Sequence, residues 1–399
     1  MVGGMTRSWG ALVALAVGAF SFVTTENLPV GLLPLIAGDL HRSPSAVGLL
    51  VTGYGLTVAA ASVPLTHLSR RVRRRTLLAG LLTVFVLSSL VSAAASDYGT
   101  LLAARVVTAL AQAAFWPVVG TTAANLFAPG VRGRVIAIVF AGASLATVLG
   151  VPTGTWLGQQ AGWRVAFLAL SGLGLAALLA VVVLLPNLRP GEGHAATGSA
   201  PDGRSYRIVV ATTTVAVGGV FTAYTYTVVF LTEVTGLSPG RVVSLLLVQG
   251  VAGMLGLACV GALVDRRPRT YLAASVGLLA VSLLGLYAVG DRPYAATALV
   301  ALSGFALSGV PTGTQHRILQ VAPGSTEVAS AWNGAAFNVG IAGGALVGGL
   351  LLPAYGVRAT ALAGGLLTGA ALLILLTEPL VTAPVGAHPP RERSERQPP

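Results

Sequence analysis

The chain has 399 residues, of which 54% are hydrophobic and 9% charged, and its formal net charge is +12. An ordinary soluble domain carries about 25% charged residues, so this composition excludes a soluble fold and fits a polytopic membrane protein. All 24 basic residues are arginines clustered in short gaps between apolar segments, a pattern the positive-inside rule explains without a nucleic-acid partner.

A span needs about 20 mostly apolar residues. Gaps at Arg, Asp, Pro and Gly clusters leave twelve segments: 10–37, 44–68, 76–95, 99–126, 133–160, 163–187, 208–233, 240–264, 270–289, 294–320, 328–352 and 357–379. The first runs too far into polar and proline-containing sequence for a cleaved signal peptide and reads as a retained span.

Span one contains "TTENLPVGLLP" (24–34), which puts Glu26 near mid-membrane with Asn27 beside it. A charge there costs about 2.5–3.5 kcal/mol on insertion scales. Glu26 is the one acid read inside a span; Asp39, Asp97, Glu233, Asp265, Asp291 and Glu327 fall at gaps or ends. Pro29 cannot donate to the carbonyl of Thr25, nor Pro34 to that of Val30, so the helix is weakened beside the carboxyl. A carboxyl at a soft point facing a cavity holds a proton when desolvated and releases it when wetted. The competing reading is a permanently protonated or hydrogen-bonded structural acid.

Span four carries Arg105, close to one end, which either snorkels to the interface or pairs with a carboxylate or a substrate. Gln112, Phe115 and Trp116 follow on roughly the same face and suit either a cavity wall for an amphiphilic ligand or helix packing. Span five, "GASLATVLGVPTGTWLGQQAG", spaces Gly150, Gly154 and Gly158 at i, i+4 and i+8 around Pro152. Small residues at that spacing admit a neighbouring helix closely, and the proline adds a bend. The stretch 187–206, rich in Gly, Pro and Ala, reads as a flexible linker.

In the second half, span seven offers Tyr224 and Tyr226. Span ten closes on His316 and Arg317, read as interfacial. Span eleven offers Trp332, Asn333 and Asn338 as cavity wall, together with glycines at 340, 344 and 348. The only cysteine, Cys259, lies in an apolar stretch, so no internal disulfide forms.

The halves resemble each other. "AGWRVAFLALSGLG" (161–174) and "YGVRATALAGGLLT" (355–368) match at a shift of 194, which also pairs Gly150 with Gly344 and Gly154 with Gly348. A shift of 195 pairs Gly55 with Gly250. Parallel six-span repeats are a transporter architecture, with the site at the midplane between them. Alternate gaps hold 18 and 5 arginines, with Arg105 inside a span, which puts both termini in the cytoplasm. No phosphate loop, metal cluster or catalytic triad is present in the sequence, so an ATP-driven pump is excluded in this chain, and no cofactor or metal is expected.

These segments together resemble the major facilitator superfamily, specifically the twelve-helix drug:proton antiporters related to bacterial arabinose- and sugar-efflux permeases. "TTENLPVGLLPLIAGDL" looks like that group's acidic first-helix motif, "AARVVTALAQAAFWPVV" its fourth-helix motif starting at Arg105, and "GASLATVLGVPTGTWLGQQAGWR" its fifth-helix antiporter motif with Gly150, Pro152 and Gly154. "GALVDRRPRT" looks like the loop motif, with Gly261, Asp265 and Arg266 in place; the resemblance implies that this Asp helps latch one side. The equivalent first-half loop has Arg70 where the family usually has Asp. The fourth-helix motif lacks the usual Gln-Gly, and Val151 intervenes between Gly150 and Pro152.

The expectation is an all-α polytopic membrane protein of two pseudo-symmetric six-helix bundles, 1–187 and 208–380, with a linker at 188–207 and a disordered tail at 381–399. It is expected in the cytoplasmic membrane, as a monomer and not an enzyme, exporting small apolar or amphiphilic molecules in exchange for protons held at Glu26. Asn27, Gln112, Phe115, Trp116, Tyr224, Tyr226, Trp332, Asn333 and Asn338 are the cavity candidates. A sugar or metabolite permease of the same fold is the alternative. A non-transporting sensor is a remote one, because it calls for a soluble signalling domain.

Overall fold

A helix rises 1.5 Å per residue, so about 20 residues cross a hydrocarbon core ~30 Å thick. The computed structural model describes residues 2–69, 72–128, 131–186, 199–264 and 267–381. Within them, twelve helices are long and apolar enough to cross a membrane. In the first half these are α1 (Arg7–Asp39), α2 (Pro44–Ser69), α3 (Arg74–Ala94), α4 (Tyr98–Asn125), α5 (Arg134–Ala161) and α6 (Trp163–Leu184). In the second they are α7 (Gly203–Glu233), α8 (Pro239–Cys259), α9 (Pro268–Val289), α10 (Pro293–Val321), α11 (Val328–Tyr355) and α12 (Arg358–Leu376). A short α13 (Glu378–Val381) follows.

The duplication read from the sequence is present in the packing. α1 packs on α5 and α6, α2 on α4, and α3 on α4 and α6; α7 packs on α11 and α12, α8 on α10, and α9 on α10 and α12. The two matching arginines do matching work. Arg164 donates to Ala95 O (3.1 and 2.7 Å) and to Asp39 (2.6 Å), tying α6 to the ends of α3 and α1. Arg358 donates to Tyr287 O (2.8 Å) and Asp291 (3.2 Å), tying α12 to the end of α9. A cation at a helix C-terminus satisfies carbonyls that have no intrahelical partner.

The halves meet along α2–α11 and α5–α8, and at the last turn of α7 against α1. The contacts run from mid-height, at Gly55 against Ala342 and Gly250 against Val148, to the arginine-poor end, where Gln159 donates to Pro239 O (3.2 Å). That end carries the gaps after α1, α3, α5, α7, α9 and α11; the arginine-rich end carries the others.

Three helices are interrupted. α5 takes a π turn at Ala146–Gly150, just before Pro152, with the Val151 amide reaching back to Ala146 O. Proline deprives Val148 O of its usual donor, and a wider turn reroutes the neighbouring bonds. α10 breaks at Ser308, where Pro311 cannot donate to Leu307 O. α7 breaks after Tyr224, where Thr225 Oγ1 donates to Phe221 O (2.7 Å).

One expected boundary needs correction. The second half starts before residue 208: Asp202 caps a helix beginning at Gly203, accepting from the amides of Arg204 (3.0 Å) and Ser205 (3.3 Å). Ala200 and Asp202 also donate to the end of α10. These partners at Ser205 and Arg204 hold the Asp202 carboxyl below the usual carboxylate range. Linker residues 187–198 and tail residues 382–399 lie outside the described residues, as do Arg70, Asp265 and Arg266; Gly261 is described only as helix backbone.

Candidate functional site

Glu26 and Asn27 lie on α1, and Arg105, Gln112, Phe115 and Trp116 on the facing α4. Gln112 Nε2 donates to Glu26 Oε2 (2.8 Å), and Tyr54 of α2 donates from its hydroxyl to Gln112 Oε1 (2.6 Å). Three helices are thus joined through one amide, whose orientation is fixed because each end has a single compatible partner. Gln112 and Tyr54 are buried, whereas Glu26 keeps partial exposure.

Arg105 neither snorkels nor pairs with the carboxylate. It is 1% exposed and donates from Nη1 to Thr25 O, and from Nη2 to Glu26 O (3.0 Å). Thr25 O is the carbonyl that Pro29 deprives of its helical donor. A guanidinium fork suits two adjacent acceptors, and its Cζ lies over the Tyr54 ring, 4.3 Å from the centroid. One side of the guanidinium therefore closes a proline-broken turn while the other stacks on the tyrosine that orients Gln112.

Beside this chain lies an aromatic wall. Phe22 sits 4.7 Å from Phe115, Phe115 5.8 Å from Trp116, and Trp116 stacks on Phe140 of α5 at 5.8 Å and 15°. Phe115 is buried, so it serves packing; Trp116 is half-buried and Phe140 exposed. Asn27 is half-buried and donates to Val23 O of its own helix (3.0 Å).

The second-half candidates do not form one wall. Tyr224 lies within electrostatic reach of Glu26 and borders a cavity of about 30 Å3 with Gln249 and Ser303. That is room for a water or two. Tyr226 is fully buried in the seam, its hydroxyl donating to Ala345 O (2.9 Å) and its ring pressed between Gly48 and Gly348. It plugs the arginine-poor side rather than lining a cavity. Asn333 is buried against α7, accepting from Thr213 (2.9 Å), while Trp332 is 57% exposed. Asn338 sits at the seam facing α2, with its backbone carbonyl against Gly55 and its buried Oδ1 lacking a partner among the described residues.

Gly150 and Gly154 of α5 lie on α1 at Thr24 and Leu28, and Pro152 follows the π turn that faces Gly250 of α8. The sequence reading missed Tyr54, although its neighbour Gly55 marks the repeat. It also missed Glu378, a buried carboxylate just past α12 held by Arg317 and Arg269. Arg317 is accordingly buried, not interfacial.

Two six-helix repeats meeting around a hydrogen-bonded carboxylate define a secondary transporter architecture. The sequence profile described as "Major Facilitator Superfamily" matches residues 15–328 and 216–398, and the chain belongs to that family. It is 37% identical over 375 residues to the uncharacterised MFS-type transporter YtbD of Bacillus subtilis (strain 168), covering 91% of this chain and 94% of that one. The crystal structure of the human organic anion transporter MFSD10 (TETRAN) shares the fold, with a TM-score of 0.68 at 15% identity over 93% of this chain and 99% of its own.

Proposed function

We propose that the protein is a proton-coupled antiporter that exports small apolar or amphiphilic molecules across the cytoplasmic membrane by alternating access. In this reading it works as a monomer with both termini in the cytoplasm. The observation that carries it is the Tyr54–Gln112–Glu26 chain, which ends on a carboxylate left partly exposed where the halves meet. An ionised carboxylate needs more hydrogen-bond donors than the one Gln112 supplies, so the charge is tolerated while water reaches it and the proton is held when the seam closes around it. Arg105 contributes positive charge beside the site but directs its Nη1 and Nη2 donors to the Thr25 and Glu26 carbonyls rather than to the carboxylate. The stacked pair of half-buried Trp116 and exposed Phe140 favours an amphiphile over a sugar, which needs many hydrogen-bonding groups.

The test is flux in proteoliposomes under sided pH gradients, using a fluorescent hydrophobic dye. Wild type accumulates dye against its gradient with the orientation of the pH step. Glu26→Gln keeps the fold and gradient-free dye exchange but loses proton-driven accumulation. A Glu26→Gln protein that still concentrates dye on a pH gradient overturns the role given to Glu26.

A further inference from the structure

Helices α8 and α10 run parallel and approach closely at mid-height, where Gly253 faces Gly304 O and Gly256 faces Phe305 O. Toward the arginine-poor end an open wedge of about 410 Å3 lies between them. One water takes about 30 Å3 in the liquid, so the wedge has room for part of an organic molecule. Along α8 its lining runs from Arg241 to Val248, roughly 10 Å at 1.5 Å per residue. Arg241 and Tyr294 stand at its mouth, Ser244 and Thr297 a turn deeper, and Leu245 and Val248 below them. The apolar strip continues down α8 through Val251 and Leu255, both well exposed.

The charge at the mouth is uncompensated. At this end Arg164 and Arg358 are ion-paired with Asp39 and Asp291, Arg42 lies over the Tyr98 ring, and exposed Arg292, next to Pro293 of the wedge, adds a second positive charge. Arg241 makes no side-chain hydrogen bond or ion pair among the described residues, and it lines the wedge. Ser244 and Thr297 spend their hydroxyl protons on Gly240 O (3.1 Å) and Pro293 O (2.8 Å), which leaves two oxygens as acceptors. Tyr294 is 94% exposed at the start of a membrane-spanning helix, the level where aromatic side chains meet lipid headgroups.

We propose that this wedge binds one anionic phospholipid from the leaflet at the arginine-poor end. Its phosphate pairs with Arg241, a headgroup hydroxyl donates to Ser244 or Thr297, and one acyl chain lies along Leu245 and Val248. The wedge shares no lining residue with the Glu26 site, and the proposal does not depend on proton coupling.

The experiment is native mass spectrometry of the delipidated full chain titrated with phosphatidylglycerol, with diacylglycerol of the same chains, and with glycerol 3-phosphate. One phosphatidylglycerol per chain is retained, and each partial ligand binds at least about tenfold more weakly. Arg241→Gln lowers retention about tenfold, equivalent to about 1.4 kcal/mol. Val248→Trp, at an exposed position, fills the wedge and blocks binding, whereas Arg42→Gln leaves it unchanged. Equal binding by Arg241→Gln overturns the site. Equal affinity for diacylglycerol removes the headgroup contact, and displacement by glycerol 3-phosphate makes it a site for a soluble anion.

Discussion

Pro29 removes the amide that closes the turn onto Thr25 O, and the guanidinium of Arg105 takes its place. Leaving a buried carbonyl without a donor costs about 1–3 kcal/mol, and the lost stacking on Tyr54 adds about 0.5–2 kcal/mol. Arg105→Ala is therefore expected to destabilise the purified protein by about 2–4 kcal/mol, read as a lower thermal midpoint in detergent. The decisive arm is the double-mutant cycle. Pro29→Ala returns an amide to Thr25 O, so Arg105→Ala costs clearly less in that background; equal costs in both backgrounds refute the pairing. Half of this was legible in the sequence, which displays two orphaned carbonyls in span one, at Thr25 and Val30, and one base inside a span. Nothing in the chain's order says that they meet, because that depends on how α4 packs against α1. Tyr54 escaped for a similar reason: a single tyrosine between two glycines carries no periodic signal.

At the scale of helices, the sequence pairs Gly150 with Gly344, and both sit where a partner helix crosses. The surroundings differ. A methyl at Gly150 meets the side chain of Thr24, whose Oγ1 has no hydrogen-bond partner among the described residues, so rotation relieves the Oγ1 contact while Cβ at 3.0 Å must still give. A methyl at Gly344 runs into Gly218 O and the Thr222 amide of α7, and backbone cannot rotate away. Overpacking costs about 1–3 kcal/mol, so Gly344→Ala is expected at or above the upper end and Gly150→Ala near the lower, measured by thermal unfolding. Gly343→Ala is the control, since nothing lies within 4 Å of its added methyl. If the three variants unfold alike, close helix approach does not explain the spacing. The pattern of small residues thus predicts where helices touch, but not whether they touch on side chains or on backbone. The π turn was likewise only half visible: Pro152 marks a disturbance, while its form depends on the fit of α5 against Gly250 of α8.

For the molecule as a whole, the span count and the repeat follow from hydropathy and from residues recurring at one offset. Which end is closed does not, because both access states are made by the same sequence. In this structure the halves are joined from mid-height to the arginine-poor end, with Tyr226 buried in the seam and Gln159 reaching Pro239 O across it. Alternating access by rocking requires those contacts to part in every cycle. Cys259 is exposed and is the only cysteine, so a Cys259→Ser background gives a clean host for paired thiols. Gln159→Cys with Pro239→Cys, bridged by a short bifunctional thiol reagent, is expected to reduce dye flux in proteoliposomes to less than about a tenth. The bridge removes one access state without touching the carboxylate. A reducible reagent should restore flux on reduction, and each single-cysteine variant should keep it after the same treatment. Flux that survives a complete bridge means that this end stays closed through the cycle and that the halves do not rock apart there.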